Sequence, residues 1–199
     1  MKDLNLLITG AGGQGIILAS DIVGETAIAA GYDVKKTDSL GMAQRGGSVV
    51  SHVRIAERVY SPLIKPGAVD ILLSLEKLEA ARWAHYLKQG GIAIVNNHAL
   101  PPLSVSLGND RYPANEEIHG IFKEYTGNIH FVEGTGRARE LGNLKTLNIF
   151  MLGCVSRFMA FPVSTWQENI SRRLPEKIRQ LNLDAFNIGR KELQHVHRG

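Results

Sequence analysis

The sequence predicts an α/β fold with a Rossmann-like, mostly parallel sheet, a β-hairpin inserted after the second strand, and a helical C-terminal part. Three observations predict it. Short apolar runs alternate with segments of helical spacing from residue 4 to residue 132. A glycine-rich stretch, Gly10-Ala11-Gly12-Gly13-Gln14-Gly15, stands between the first run and the first helical segment. From Asn143 onward the apolar residues follow a helical period and no further strand pattern occurs.

Leu4–Thr9 reads as a buried strand, Ile16–Ala30 as a helix rich in alanine and aliphatic residues, and Asp33–Asp38 as a second strand, a βαβ opening. Ser48–Ile55 has strand period, with Val49, Ser51, Val53 and Ile55 on one face and Ser48, Val50, His52 and Arg54 on the other. Ala56-Glu57 is expected to turn that strand back into Arg58–Tyr60. Val69–Leu75 forms the next strand, and Ala80, Trp83, Ala84 and Leu87 mark a helix that Gly90-Gly91 is expected to end. Ile92–Asn96 follows as a strand.

Residues 97–113 contain three prolines and read as a loop or irregular crossover. Glu116–Tyr125 is expected to be helical and Ile129–Val132 to be the last strand. Asn143 is placed to cap a helix apolar on nearly every side, from Leu144 to Met159, which must pack against the sheet or a partner. Ser164 and Gln167 have the spacing of a capping box, and Pro175 suits the first turn of a final helix bearing Ile178, Leu181, Ala185 and Phe186.

Composition narrows the function classes. A chain of 199 residues without a Pro/Ser-rich linker or charge block reads as a single domain spanning 1–199. Its 44% hydrophobic and 21% charged residues are ordinary for a soluble protein, and no apolar run approaches a bilayer span. Met1-Lys2-Asp3 leads directly into a strand without a cleavage pattern, so a cytoplasmic location is expected. The single cysteine, Cys154, leaves no internal disulfide and no four-cysteine cluster site. A net charge of +4 spread along the chain gives little support for nucleic-acid binding.

Gly10, Gly12 and Gly15 satisfy G-x-G-x-x-G between strand and helix, where backbone N–H groups and a helix N-terminus favour anions. The same turn also serves simply to pack a helix closely on a strand. Asp38 stands where a dinucleotide enzyme holds a ribose, which keeps a stand-alone NAD-binding protein as an alternative. Against it stands the hairpin after the second strand, since a dinucleotide site normally has a helix there. The Gln14 amide is able to reach a ligand or a neighbouring loop. A second stretch, Gly41-Met42-Ala43-Gln44-Arg45-Gly46-Gly47-Ser48, sets an always-charged guanidinium among glycines, which suits two-point contact with carboxylate or phosphate. His52 reads as a structural hydrogen-bonding residue, and His195-x-His197 in a basic tail does not make a metal site. Cys154 lies in an apolar helix, and Ser74 and Ser104 lack a nucleophile arrangement. No catalytic residue and no metal ligand is assigned. Binding loops without a catalytic set point to a subunit or, in a rival reading, to a purely structural assembly protein.

These two stretches, continuing through Val49-Val50-Ser51-His52-Val53-Arg54, resemble the gamma domain of the 2-oxoacid:ferredoxin oxidoreductases. The length of the second match resembles most closely the beta subunits of the indolepyruvate type. Ser61-Pro62-Leu63-Ile64, Asp70-Ile71-Leu72-Leu73, the segment Asn148 to Gly153 and Ala185-Phe186-Asn187-Ile188-Gly189 are similar to the family's later blocks. The resemblance implies anaerobic metabolism and an accessory role in the oxidative decarboxylation of an aryl 2-oxo acid to its acyl-CoA. A large catalytic subunit then carries thiamine diphosphate and 4Fe-4S clusters, coenzyme A is co-substrate, and ferredoxin meets the complex. This chain alone is expected to hold no cofactor and to be inactive. A gamma subunit of a pyruvate, 2-oxoisovalerate or 2-oxoglutarate enzyme is the alternative within the family. Gly10, Gly12, Gly13, Gln14, Gly15, Gln44, Arg45, Gly46, Gly47 and Ser48 are the implied cofactor-binding residues. The isolated chain is expected to self-associate or to expose an apolar patch.

Overall fold

The computed structural model describes residues 3–41 and 47–194, so Gln44, Arg45, Gly46, His195 and His197 lie outside the described residues. A six-stranded sheet has the order β2-β3-β1-β4-β5-β6, from β1 (Leu4–Ala11), β2 (Asp33–Leu40), β3 (Ser48–Ala56), β4 (Val69–Ser74), β5 (Leu87–Asn96) and β6 (Asn128–Val132). Strand β3 runs antiparallel to both its neighbours, and the remaining pairings are parallel. The inserted hairpin is therefore β2–β3, and β3 sits between β1 and β2. Both edges of β3 are occupied, which leaves no edge for the return strand expected at Arg58–Tyr60. Those residues are irregular, and the Val59 N–H donates to Asp33 Oδ2 at 2.8 Å instead.

Helices cover both faces. On one lie α1 (Ile16–Ala29), α6 (Leu147–Ser156), α7 (Val163–Arg173) and α8 (Glu176–Glu192), packed on Leu6, Ile8, Val53 and Leu73. On the other lie α2 (Lys77–Trp83) and α4 (Asn115–Lys123), packed on Leu7, Val50, Leu72 and Val95. The strict alternation in β3 sends Val49, Val53 and Ile55 into the first core and Val50 into the second. Two short helices, α3 (Leu103–Ser106) and α5 (Gly134–Glu140), complete the set. Helix α5 has no signature in the amino-acid pattern, because two glycines weaken its helical propensity and among its apolar positions it buries Ala138 alone.

Several expectations are corrected. Gly90 and Gly91 lie inside β5 rather than at a helix end. The helical segment closes in a 3-10 turn at Ala84–Tyr86, Leu87 is already extended, and the β4–β5 register shifts between Val69↔Leu87 and Ile71↔Ile92. Gly90, at φ +71°, supplies the left-handed residue of that irregularity. Ser164 caps nothing, since α7 starts at Val163 with Pro162 before it. Asn143 caps the 3-10 turn Leu144–Thr146, its side chain accepting from the Lys145 N–H at 3.0 Å. Every residue of α6 is buried within the chain, so this apolar helix is an internal strut and not an exposed patch. It packs tightly on α8: a Cβ on Gly153 would lie 2.2 Å from the Phe186 carbonyl oxygen, and one on Gly189 would lie 2.0 Å from that of Phe150. Backbone meets backbone there, which gives the glycine of the Ala185–Gly189 block its physical reason.

Candidate functional site

The two glycine stretches meet. In the β1–β3 ladder Ala11 pairs with Ser48, and beyond the last pair the Gly12 N–H donates to the Gly47 carbonyl at 2.8 Å. The β2–β3 ladder closes beside it, where the Gly41 N–H donates to the Ser48 carbonyl at 2.8 Å. A Cβ at Gly41 would stand 2.7 Å from that carbonyl oxygen, so the close approach needs a glycine. The corner lies at the carboxyl end of β1, beside β4 and the start of α1, where parallel sheets hold ligands.

Within the first stretch the roles divide. Gln14 folds inward: its Oε1 accepts the Ala11 N–H at 2.8 Å and its Nε2 donates to the Leu75 carbonyl at 3.1 Å. Of the two partners open to it, the neighbouring loop is the one it takes. Gly10 is buried beneath it, where a Cβ would lie 2.7 Å from Gln14 Oε1. Gly13 at φ +95° is exposed with nothing near a Cβ, and its φ alone calls for glycine. Gly15 is left-handed at φ +79°, and Asn148 of α6 covers it: Nδ2 donates to the Gly15 carbonyl at 3.2 Å and occupies the place of a Cβ. Helix α1 starts here with no side-chain cap and no acidic residue in its first turn, so the positive end of its dipole is uncompensated by the described residues.

Two cavities flank this loop and share Gly13 and Gly15. One, of about 440 Å³, lies between the two stretches against Gly12, Ile17, Leu40 and Gly41. The other, of about 420 Å³, lies between α1 and α6 against His98, Leu100, Lys145 and Asn148. Both have exposed aliphatic residues at the mouth, Ile17 and Leu40 on one side and Leu100 and Leu144 on the other.

Polar residues brace the corner from below, and apart from Ser48 and Ser74 the sequence did not single them out. Thr9 Oγ1 donates to Ser74 Oγ at 2.8 Å, and Asn96 Nδ2 donates to the Leu75 carbonyl at 3.0 Å. Glu76, 1% exposed, accepts from the Leu100 N–H at 3.1 Å and from the Tyr112 hydroxyl. Burial, and then the Glu76 carboxylate, push the Tyr112 phenol far above its ordinary value, which keeps it a donor. Ser48 Oγ donates to Glu79 Oε2 at 2.5 Å, and Arg82 Nη1 to Glu79 Oε1 at 2.7 Å. Carboxylates at a helix N-terminus are a legible signal, but their targets are 31 and 36 residues away and no local pattern encodes them.

Other candidates fall away from the corner. Asp38 accepts from Ser51 Oγ and pairs with Lys36 Nζ at 3.0 Å. With β3 inserted, Asp38 is two strand spacings from β1, about 10 Å, so it is not the ribose anchor of a dinucleotide site. His52 is buried against Trp83 and Tyr86, its Nδ1 accepts the Ile64 N–H at 3.3 Å, and burial holds its pKa below the ordinary value. Arg54 Nε donates to Asn5 Oδ1 at 3.1 Å and braces the far end of the sheet. Cys154 is buried in α6 with its thiol pushed up by burial, which does not suit a ligand or nucleophile. Among the described residues no three His, Cys, Asp or Glu side chains gather into a metal site, and no helix is long and apolar enough to cross a membrane.

The sequence model for the pyruvate ferredoxin/flavodoxin oxidoreductase family matches residues 5–192. The chain belongs to that family. The indolepyruvate oxidoreductase subunit IorB of Thermococcus kodakarensis is 39% identical to it over 199 residues, with 98% of each chain covered. The gamma subunit of a keto/oxoacid ferredoxin oxidoreductase from Geobacter sulfurreducens superposes at TM-score 0.71 and 24% identity, covering 97% of this chain and 99% of its own. The 2-oxoglutarate:ferredoxin oxidoreductase of Magnetococcus marinus, solved with 2-oxoglutarate, coenzyme A and succinyl-CoA bound, superposes at TM-score 0.78 and 19% identity. This chain is fully covered in that match but spans 32% of the larger chain. The two structural likenesses establish the mixed α/β fold with its mostly parallel sheet.

Proposed function

We propose that this chain is the accessory subunit of an indolepyruvate:ferredoxin oxidoreductase, which oxidatively decarboxylates an aryl 2-oxo acid to its acyl-CoA. The observation that carries the reading is the 39% identity to IorB along 98% of both chains. The large partner subunit supplies the thiamine diphosphate and iron–sulfur chemistry, and ferredoxin receives the electrons from the complex. The location is cytoplasmic, and the chain is one domain.

In this reading the chain contributes a wall of the shared cleft. Its first-turn N–H groups at α1 and the left-handed Gly13 and Gly15 offer backbone donors to an anionic group. Gly12, Gly47 and Ser48 hold the two stretches together. Gly10 and Gln14 set the shape of the first loop from beneath. The cavity between the stretches has no charged side chain among its described lining residues; Arg45 is the one charged residue in the sequence between Gly41 and Gly47, and its guanidinium, beside Gln44 and Gly46, is the proposed anion contact. Coenzyme A carries phosphates for the backbone donors and a long pantetheine arm whose methylene and dimethyl groups suit the aliphatic rim.

The test uses the co-purified complex. Arg45→Lys keeps the charge and loses the planar two-point contact, which is expected to weaken coenzyme A binding by about 1–3 kcal/mol with assembly intact. Unchanged coenzyme A kinetics would make Arg45 a bystander, and lost assembly would make it an interface residue. Turnover of 2-oxo acids by the isolated chain would overturn the subunit reading.

A further inference from the structure

Helix α2 opens with two buried carboxylates that reach in opposite directions. Glu79, 5% exposed, accepts from Ser48 Oγ at 2.5 Å and from Arg82 Nη1 at 2.7 Å. Its own N–H donates to Glu76 Oε2 at 2.8 Å, and Glu76 Oε1 in turn accepts from the Leu100 N–H and the Tyr112 hydroxyl. Ser48 is continuous with Gly47, whose carbonyl receives the Gly12 N–H. Leu100 lines the cavity on the other side of the glycine loop.

We infer that Glu79 is a positioning residue: through Ser48 its carboxylate fixes the second glycine stretch against the first, while its backbone N–H, held by Glu76, seats it beside the Leu100 wall. The chemistry selects a carboxylate. Two oxygens are engaged by two donors on different elements, and a neutral amide has one acceptor oxygen for both. Arg82 offers its cation to the carboxylate oxygen that Ser48 does not use, so the serine contact is held while Arg82 remains half-exposed to water. None of these groups faces the cavity as a ligand donor. The inference rests on the proposed reading of the corner as a wall of the coenzyme A cleft.

The experiment compares Glu79→Gln, Ser48→Ala, Ser48→Thr and the Glu79→Gln/Ser48→Ala pair in the co-purified complex. Steady-state kinetics in coenzyme A is measured alongside hydrogen exchange of the peptide spanning Gly10–Gly15. Glu79→Gln and Ser48→Ala are each expected to raise the coenzyme A KM about tenfold with kcat within about twofold, the loss of one charge-assisted hydrogen bond. Exchange at Gly12 should quicken in both, the double variant should be no worse than either single one, and Ser48→Thr should restore KM by keeping the hydroxyl. Additive effects would show that Glu79 does not act through Ser48. Normal exchange at Gly12 in Glu79→Gln would overturn the inference whatever the kinetics. Faster exchange with an unchanged coenzyme A KM would uphold the bracing of the corner and reject the coenzyme A reading.

Discussion

Replacing Gly189 by Ala sets two physical effects against each other. Gly189 lies within α8, where alanine is favoured over glycine by about 1 kcal/mol on helix propensity alone. The α6–α8 crossing opposes it. The new methyl carbon would stand 2.0 Å from the Phe150 carbonyl oxygen, 2.9 Å from its carbon and 3.2 Å from the Cys154 nitrogen, all backbone atoms that no rotamer change can move aside. Restoring van der Waals contact requires the helices to part by roughly 1 Å or more, and that shift opens gaps around Phe150, Ala185 and Phe186, which are all fully buried. Overpacking costs about 1–3 kcal/mol, and backbone atoms that cannot yield put this site at the upper end, so after the propensity gain of about 1 kcal/mol we expect a net loss of about 2 kcal/mol. For a chain of this length that lowers Tm by about 4–8 °C. Gly120 in α4 is the control, since a Cβ there meets nothing within 4 Å, and Gly120→Ala should stabilise by up to about 1 kcal/mol. Calorimetry and urea unfolding on the two variants give the answer. A Gly189→Ala protein as stable as the parent, or more stable, would refute a backbone-to-backbone crossing.

Gly15→Ala must place a side chain at φ +79° and displace the Asn148 amide, so we expect a loss of about 2–3 kcal/mol in urea unfolding. Asn148→Ala should relieve part of that cost, and strictly additive losses would show that the two residues do not meet. His52 and His130 have pKa values held below 6.5 by burial, so the unfolded chain takes up protons that the folded chain refuses. Stability is therefore full above about pH 6.5 and declines as the pH falls, and a Tm series from about pH 7.5 to about pH 5.5 should slope less steeply in His52→Gln. An identical slope would remove His52 from the account. Cys154 should resist thiol reagents in the native protein and react once urea unfolds it; rapid native labelling would contradict its burial.

The glycine stretches, the strand period of Ser48–Ile55 and the helical period of the C-terminal part are local signals, and they carry the α/β class and the family. Periodicity reports which face of a segment is apolar, and that much is set by neighbours in the chain. What covers that face was decided by the tertiary structure. The segment Leu147–Ser156 is apolar all round in sequence, and only its burial between the sheet and α8 showed that no partner is needed to cover it. Ser48–Ile55 announced a strand, but its place between β1 and β2 depends on pairing energies with two distant segments, and that placement moved Asp38 away from the glycine loop. The sequence likewise named Ser48 and Gln14 without their partners. Hydrogen bonds to Glu79 and Leu75 join residues 31 and 61 positions apart, and such contacts leave no period in the chain, because distance in space is set by the fold as a whole.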